Sequence, residues 1–229
     1  MSYTRCIRFV LLISFCWAYQ HQTRAQVTGR IEGEMMSKER QSDGKFVLNA
    51  GTFYYDTQIK QLIYQIRFPT KETVVSRDTI LYRFQKKKLM QRLPSVAVPA
   101  SSIFHLALTN QLKTFGLKAP LYTIEKVEKE GDRVFITYKP NKVLADFGLV
   151  KLAQRNNRLE GIVYLDKKGG VVAKQFFKNY VTVGTVDFPQ EVVIQSMRNG
   201  KTYFQQTTYK NIVVNEFRDE VNYRYDLPK

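Results

Sequence analysis

The alternation of polar and apolar residues with a period of two runs through most of residues 28–226 and constrains the fold more than any other feature. That period is typical of β-strands, whose successive side chains point to opposite faces of a sheet. Glycine-containing turns such as Glu130-Gly131-Asp132 and Asn199-Gly200 favour tight hairpins between the runs. The pattern predicts strands at 28–38, 45–55, 60–68, 72–77, 79–84, 87–93, 121–129, 133–139, 147–153, 159–166, 171–183, 189–198, 201–215 and 221–226, with a helical turn as the alternative within 143–153.

One segment departs from this β pattern. Pro94 to Pro99 is an extended connector, and Ser101 or Ser102 is placed to cap a helix that runs to about Phe115. Apolar residues recur in that helix at helical spacing, so one of its faces is apolar. The predicted fold class is mainly β: a curved antiparallel sheet or incomplete β-barrel with an inserted amphipathic lid helix.

The N-terminus has the pattern of a secretory signal peptide. Arg5 and Arg8 precede an uncharged, mostly apolar run at 9–18, and Thr23-Arg24-Ala25 places small residues at −3 and −1 of a cut before Gln26. The apolar run is shorter than a membrane span, which needs about 20 residues. We therefore expect residues 1–25 to be removed on export to the periplasm and 26–229 to form a single domain. The alternatives are a cut after Ala18, lipid attachment at Cys16 and an uncleaved buried helix.

Cleavage at that point would leave a chain without cysteine and with a basic surplus. Residues 26–229 contain 33 lysines and arginines against 20 aspartates and glutamates. Such a surplus favours contact with a polyanion, and export argues against nucleic acid as the partner. Solubility is the other explanation. Lys86-Lys87-Lys88, near Arg83, is interpreted as a solvated hairpin edge or as a contact with lipid headgroups or acidic partners.

The residues give little equipment for catalysis. His105 is the one histidine after residue 25, and it lies inside the predicted apolar helix. No serine stands in a nucleophile elbow, no glycine loop is suited to phosphate, and no cluster has metal-ligand spacing. A pair of carboxylates meeting in space would permit glycoside hydrolysis, but no pair is singled out. We therefore expect a protein that is not an enzyme and that needs no cofactor and no metal.

Aliphatic and aromatic residues line one side of several predicted strands. One helix of about fifteen residues is roughly 22 Å long, which is short against a many-stranded sheet. The apolar surface left over is either filled by side chains or open as a cavity, and tyrosines would suit a lipid with a polar head. The residues predicted to line a lipid-binding cavity are Leu62, Tyr64, Ile66, Phe68, Ile80, Tyr82, Phe84, Phe104, Leu108, Val134, Ile136, Tyr138, Phe177, Val192, Ile194 and Phe204.

The order of several short motifs resembles the periplasmic outer-membrane lipoprotein carrier family (LolA-like). The motifs are Gly29-Arg-Ile-Glu-Gly33, Ala50-Gly-Thr-Phe-Tyr-Tyr-Asp56, Leu62-Ile-Tyr-Gln-Ile-Arg-Phe-Pro69, Leu81-Tyr-Arg-Phe84, Leu159-Glu-Gly-Ile-Val-Tyr-Leu-Asp166 and Phe188-Pro189. The resemblance implies an incomplete barrel with a helical lid over an apolar cavity. It also implies a cavity arginine, for which Arg67 is the candidate and Arg77 the alternative. The N-terminal strand departs from the long helix of that family.

The function that follows is a periplasmic carrier that shelters acyl chains of lipoproteins or other lipids and delivers them to the outer membrane. Its expected partners are an inner-membrane exporter and an outer-membrane acceptor, without nucleic acid, and the protein is expected to be a monomer. The alternative is a lipid-binding sensor or regulatory module of the same fold that does not transport. A carrier would pass its lipid on, whereas a sensor would stay bound to a membrane protein.

Overall fold

The structure is a computed structural model that describes residues 29–41, 44–95, 98–198, 201–216 and 219–228. The predicted signal peptide at 1–25 and the Asn199-Gly200 turn lie outside the described residues. Within the described part of the chain, no helix is long and apolar enough to cross a membrane.

Thirteen strands form one antiparallel sheet. Their order across the sheet is β6-β5-β4-β3-β2-β1-β13-β12-β11-β10-β9-β8-β7, so β6 and β7 are the two edges and the sheet is not closed. Strand β1 pairs with β13 and thereby joins the two halves of the chain at the centre. The strands are β1 (Arg30–Arg40), β2 (Phe46–Asp56), β3 (Gln61–Phe68), β4 (Glu72–Arg77), β5 (Ile80–Gln85), β6 (Lys88–Pro94), β7 (Tyr122–Glu130), β8 (Arg133–Pro140), β9 (Val150–Arg155), β10 (Arg158–Leu165), β11 (Val171–Val183), β12 (Val186–Arg198) and β13 (Lys201–Val214).

The mainly β fold class predicted from the period-two pattern is confirmed, and two elements differ from the prediction. The predicted strand at 221–226 is wrong, because Glu220–Tyr223 forms a 3₁₀ turn instead. The predicted helix at 101–115 is reduced to α1 (Ile103–Leu108), followed by a 3₁₀ turn at Leu112–Thr114. A helical turn does occur before β9, at Lys142–Leu144.

Local chemistry explains where α1 begins and ends. The Ser102 side chain accepts a hydrogen bond from the backbone N–H of His105, which satisfies one of the free donors at the helix start. After Thr109 the chain reaches Asn110 with a φ of 54°, a left-handed conformation that asparagine tolerates and a helix does not continue through. The apolar spacing therefore persists past the point where the backbone leaves the helix.

Both faces of the sheet carry apolar side chains. On the face that α1 covers, called the helix face, a large core includes Ile31, Phe53, Leu152 and Phe188. On the opposite face a smaller cluster contains Ile63, Val75, Tyr82 and Phe84, with Tyr225 and Leu227 from the C-terminal segment packed against it. The main core thus lies between one short helix and a wide sheet.

Candidate functional site

The candidate site is the contact between α1 and the sheet, and its centre is Phe104. The Phe104 ring is 1% exposed and lies 4.5 Å from the Phe53 ring, stacked on it. Four more rings of the sheet surround it at centroid distances of 5.6 to 6.5 Å: Tyr209, Phe188, Tyr55 and Tyr64. A ring on the helix therefore occupies an aromatic socket in the sheet.

The strand register positions that socket. Phe53 and Tyr55 are two residues apart on β2, so their side chains point to the same face. Gly33 on β1 stands opposite Phe53, and a Cβ there would lie 3.0 Å from the Phe53 ring. The absence of a side chain at Gly33 leaves room for the Phe53 ring to lie flat beneath the helix.

Two of the socket tyrosines are buried deeply enough to alter their acidity. Burial raises the pKa of Tyr64, and it raises the pKa of Tyr209 further, well above the usual value for a phenol. Both hydroxyls therefore stay neutral at physiological pH. The socket has apolar ring faces and uncharged polar tips, a combination suited to an apolar ligand with a polar end.

A polar contact joins the helix to the socket at His105. The Tyr55 hydroxyl lies 2.8 Å from His105 Nδ1. Burial, together with the charges of Lys60 and Lys118, lowers the pKa of His105. The imidazole is therefore neutral at pH 7, and Nδ1 can accept the proton that the Tyr55 hydroxyl donates.

The segment that follows α1 extends the cover over β9–β11. Leu112 is buried, and the Phe115 ring lies 5.7 Å from the Phe177 ring of β11. The Gln154 side chain donates a 2.6 Å hydrogen bond to the backbone carbonyl of Lys113. The cover over the helix face thus consists of α1 and an irregular stretch tied to the sheet at a few points.

The structure brings together most of the predicted cavity residues. Two of them are outside the main core cluster: Ile66 is buried, and Val134 is half-buried with its side chain on the same face as that of Ile136. Their capacity to bind lipid stays a prediction. The residues that belong to the core beneath α1 or pack against it are Leu62, Tyr64, Phe104, Leu108, Ile136, Tyr138, Phe177, Val192 and Ile194.

Three predicted residues of β5 lie elsewhere. Tyr82 pairs with Val75, which pairs with Ile63, and all three side chains point away from α1. Ile80 and Phe84 share that direction because they are two residues from Tyr82. The prediction of these residues in one cavity with Leu62 is therefore corrected: the period of two was right, but the register across β3 and β4 places β5 apolar residues on the opposite face.

Three further predicted residues also lie outside the core under α1. Phe204 is 37% exposed and pairs with Arg40 and Gln195 on the opposite face, and Phe68 is 53% exposed. Arg67 is exposed at an irregularity in the β2–β3 register and lines a shallow depression with Glu34, Ala50 and Lys210. Arg67 follows Ile66, whose side chain points to the helix face, so Arg67 points to the opposite face and not into the socket.

The sequence interpretation missed several socket residues. Phe53, Tyr55, Phe188 and Tyr209 were not selected, although each stands in a period-two run. The alternation signal was present, but it does not say which of the two faces is covered. This uncertainty about the covered face explains both why these four residues were missed and why the β5 residues were predicted on the wrong face.

Two further observations concern metal ligands and the histidine of the site. Among them, no group of three or more His, Cys, Asp or Glu side chains is arranged to hold a metal ion. His105 contacts a tyrosine and stands in apolar surroundings, an arrangement that supports docking of the helix. The site therefore consists of apolar packing and a neutral polar contact, between Tyr55 and His105.

The fold has well-matched counterparts among solved structures. No protein-family model matches the sequence, and no curated protein has significant sequence similarity to it. A LolA superfamily protein from Nitrosomonas europaea superposes with a TM-score of 0.55 at 11% identity, covering 87% of this chain and 91% of that one. A DUF1329 family protein from Desulfovibrio piger gives 0.57 at 14% identity, covering 86% and 90%.

A third structure has a related description. It is a candidate outer membrane lipoprotein-sorting protein domain from Vibrio parahaemolyticus, with a TM-score of 0.57 at 9% identity and coverage of 85% of this chain and 88% of that one. The agreement extends over nearly the whole described sheet, and the structures share the architecture expected from the motifs of the sequence. The chain therefore has a LolA-like fold.

Proposed function

We propose that the protein is a periplasmic carrier that binds acyl chains of lipoproteins or other lipids on the helix face and delivers them to the outer membrane. The observation that carries the proposal is the aromatic socket filled by Phe104. This side chain belongs to a six-residue helix in the segment between β6 and β7. The LolA-like fold, shared with a lipoprotein-sorting domain, supports the same function. No catalytic step is part of the proposal.

The socket is occupied by an element that is small enough to move. α1 has six residues, and residues 98–121 contribute no strand to the sheet. Withdrawal of α1 would therefore leave the ladder hydrogen bonds of the sheet in place. Movement of such a segment on ligand binding is a common way to open a site.

The magnitudes permit exchange of the helix contacts for a lipid. Burial of Phe104, Leu106 and Leu108 contributes about 1.5–3 kcal/mol for each side chain, and each buried methylene of an acyl chain contributes about 0.8 kcal/mol, so the two totals are of similar size. An acyl chain that buries ten methylenes thus contributes roughly 8 kcal/mol before ordering costs. The lipid can enter between the sheet and α1, whose Phe104 and Leu108 side chains then cover it, and Phe104 can return to the socket once the lipid is passed on.

The cellular setting rests on the N-terminal pattern of residues 1–25 and on the fold. Export would place the protein between the two membranes, where an inner-membrane exporter would supply lipid and an outer-membrane acceptor would receive it. The monomeric state expected from the sequence is kept in this proposal, since one chain contains the complete socket.

Binding of a fluorescent fatty acid tests the socket. Phe104→Glu and Leu108→Glu each place a carboxylate against apolar surface, and we expect both to abolish binding while the β circular dichroism spectrum is retained. Val221→Glu is the matched control, because Val221 is 85% exposed and lies in the 3₁₀ turn at Glu220–Tyr223, on the face opposite to α1. Unchanged binding in both socket variants would reject the proposal.

Two further measurements do not depend on how the variants fold. Mass spectrometry of the wild-type protein extracted from its cells should find co-purified diacyl or triacyl lipid or lipoprotein. Transfer of a labelled lipoprotein from the protein to acceptor vesicles should follow. Retention of the label in a stable complex with a membrane protein would instead indicate the sensor.

A further inference from the structure

The basic surplus of the chain is concentrated at one end of the strands. Because neighbouring strands are antiparallel, the connections β1–β2, β3–β4, β5–β6, β8–β9 and β10–β11 all lie at the same end of the sheet. The described residues at that end include eleven exposed cations, and this set is called the basic rim: Arg40, Lys45, Lys71, Lys86, Lys87, Lys88, Lys139, Lys142, Lys167, Lys168 and Lys201.

Few acidic groups offset the basic rim. Asp146 pairs with Lys167, and the Asp166 carboxylate accepts hydrogen bonds from the backbone N–H groups of Lys168 and Gly170. Lys86 and Lys87 occupy the β5–β6 turn with φ of 48° and 65°, a conformation that asparagine and glycine adopt more easily. Two lysines thus stand at positions where the turn itself favours other residues.

The opposite end of the strands has a different charge pattern. There, arginines are paired with acids across the turns: Arg155 with Asp132 at 3.1 Å and Arg158 with Asp187 at 3.0 Å. Arg133 pairs with Glu160 at 2.8 Å. The charge of the molecule is therefore polarised along the strand direction, a property that overall composition does not reveal.

The basic rim also carries exposed apolar side chains. Phe147 is 63% exposed and Val143 is 83% exposed in the β8–β9 connection. Phe46 is 56% exposed, and Lys38 Nζ lies 4.3 Å from the centre of its ring. Aromatic and aliphatic groups among lysines are the combination found where proteins lie on a membrane surface.

A cleft in the basic rim is lined by both lysines and apolar side chains. It has a volume of about 440 Å³ and lies between the β8–β9 connection and the β10–β11 turn. Phe147 and Leu149 supply apolar lining. Lys139, Lys167 and Lys168 stand around the cleft with Asp166, whose carboxylate accepts hydrogen bonds from backbone N–H groups. Such a cleft can admit an anionic headgroup beside the start of its acyl chains.

We infer that the basic rim is a docking surface for an anionic phospholipid bilayer. The lysines meet the negative headgroups, and Phe147, Val143 and Phe46 enter the interface between headgroups and acyl chains. Charge complementarity selects this occupant, because attraction of clustered lysines to anionic lipid is additive and needs no shaped partner. The inference stands without the carrier function, since it uses none of the socket residues.

Co-sedimentation with vesicles tests the rim. The protein is recovered from the cell envelope, and its N-terminus is read by mass spectrometry. It is then mixed with vesicles of pure phosphatidylcholine or with vesicles of phosphatidylcholine and anionic phosphatidylglycerol. We expect binding to the anionic vesicles that high salt reduces. The K86E/K87E variant should lose on the order of tenfold in partitioning.

The matched control changes the same charge at the other end of the strands. Arg77 and Lys129 are exposed there, and R77E/K129E should bind like the wild type. F147S/V143S should weaken binding at high salt as well as at low salt, because it removes apolar insertion. All variants share one N-terminus, so residues before the described chain contribute equally.

Three results would overturn the inference. They are absence of binding to anionic vesicles, equal binding to neutral vesicles, and equal losses in K86E/K87E and R77E/K129E. The first would favour an acidic protein partner, the second would mean that apolar insertion acts without charge attraction, and the third would reduce the effect to net charge. Vesicle binding by the Phe104→Glu variant separates this outcome from that of the carrier proposal.

Discussion

The Tyr55 hydroxyl and the His105 Nδ1 atom are 2.8 Å apart, and they join the centre of the sheet to α1. The contact combines a titratable group with the element that covers the aromatic socket. Around it the docking of α1 is mainly apolar, through Phe104, Leu106 and Leu108. Protonation of His105 is therefore a means by which pH can act on the cover.

The first prediction concerns that pH dependence. The folded-state pKa of His105 is lowered, so the unfolded chain takes up the proton first as the pH falls. The His105 contribution to stability is thus fully present above the unfolded pKa of about 6.5 and is lost as the pH falls below it. Chemical denaturation at pH 7.5 and 5.5 should show a larger loss for the wild type than for His105→Gln. Equal losses would contradict the prediction.

The second prediction concerns the Phe104 ring. Phe104→Ala should lower the free energy of unfolding by about 3–5 kcal/mol, because it removes a ring that stacks on Phe53 and leaves a cavity. Urea denaturation measures the loss. Phe147→Ala is the control, since Phe147 is 63% exposed and should change stability little. A loss as small in Phe104→Ala as in the control would mean that α1 is not docked as the structure has it.

The third prediction concerns the buried ion pair on the opposite face. Arg30 Nε donates a 2.7 Å hydrogen bond to the Asp56 carboxylate, and both side chains are below 10% exposed. Asp56→Asn should lower the free energy of unfolding by about 3 kcal/mol, because the buried guanidinium loses its nearest carboxylate and keeps the more distant Glu220 carboxylate, at 3.5 Å.

Asp146→Asn is the matched control for the ion pair. It removes the acid of the exposed Lys167–Asp146 pair, which solvent screens, and no measurable change in the denaturation midpoint is expected. Equal midpoints for the two variants would show that the Arg30–Asp56 pair contributes no more than a surface pair.

The fourth prediction concerns Gly51 in β2. A Cβ atom at this position would lie 2.1 Å from the carbonyl oxygen of Gln65 in β3, at the point where the β2–β3 register shifts. Gly51→Ala should therefore separate β2 from β3 and lower the yield of folded protein, because backbone atoms cannot yield as a side-chain end can. Circular dichroism and urea denaturation provide the measurement.

Gly131→Asn serves as the comparison for Gly51. Gly131 lies in the β7–β8 turn with a φ of 60° and open space around it, and asparagine tolerates that conformation. The Gly131→Asn variant should therefore fold like the wild type. If both variants fold with the wild-type midpoint, the close approach of β3 at Gly51 is incorrect.

Local residue patterns were sufficient to predict the sheet. Alternation along runs such as 171–183 predicted strands with their bounds nearly as observed, because the two-residue period is a local consequence of extended backbone. Ser102 marked the start of the helix for an equally local reason, the free N–H groups of its first turn. The LolA-like fold followed from the order of such local signals.

Which apolar residues meet depends on pairing between strands that are distant in the chain. Tyr82 and Leu62 carry the same kind of pattern, yet the pairing of β3, β4 and β5 places them on opposite faces. Phe53 and Tyr209 became walls of the socket because β1 joins the two halves of the chain. The lysines of distant turns form one rim for a similar reason: register and strand order are set by long-range pairing, which a local period does not encode.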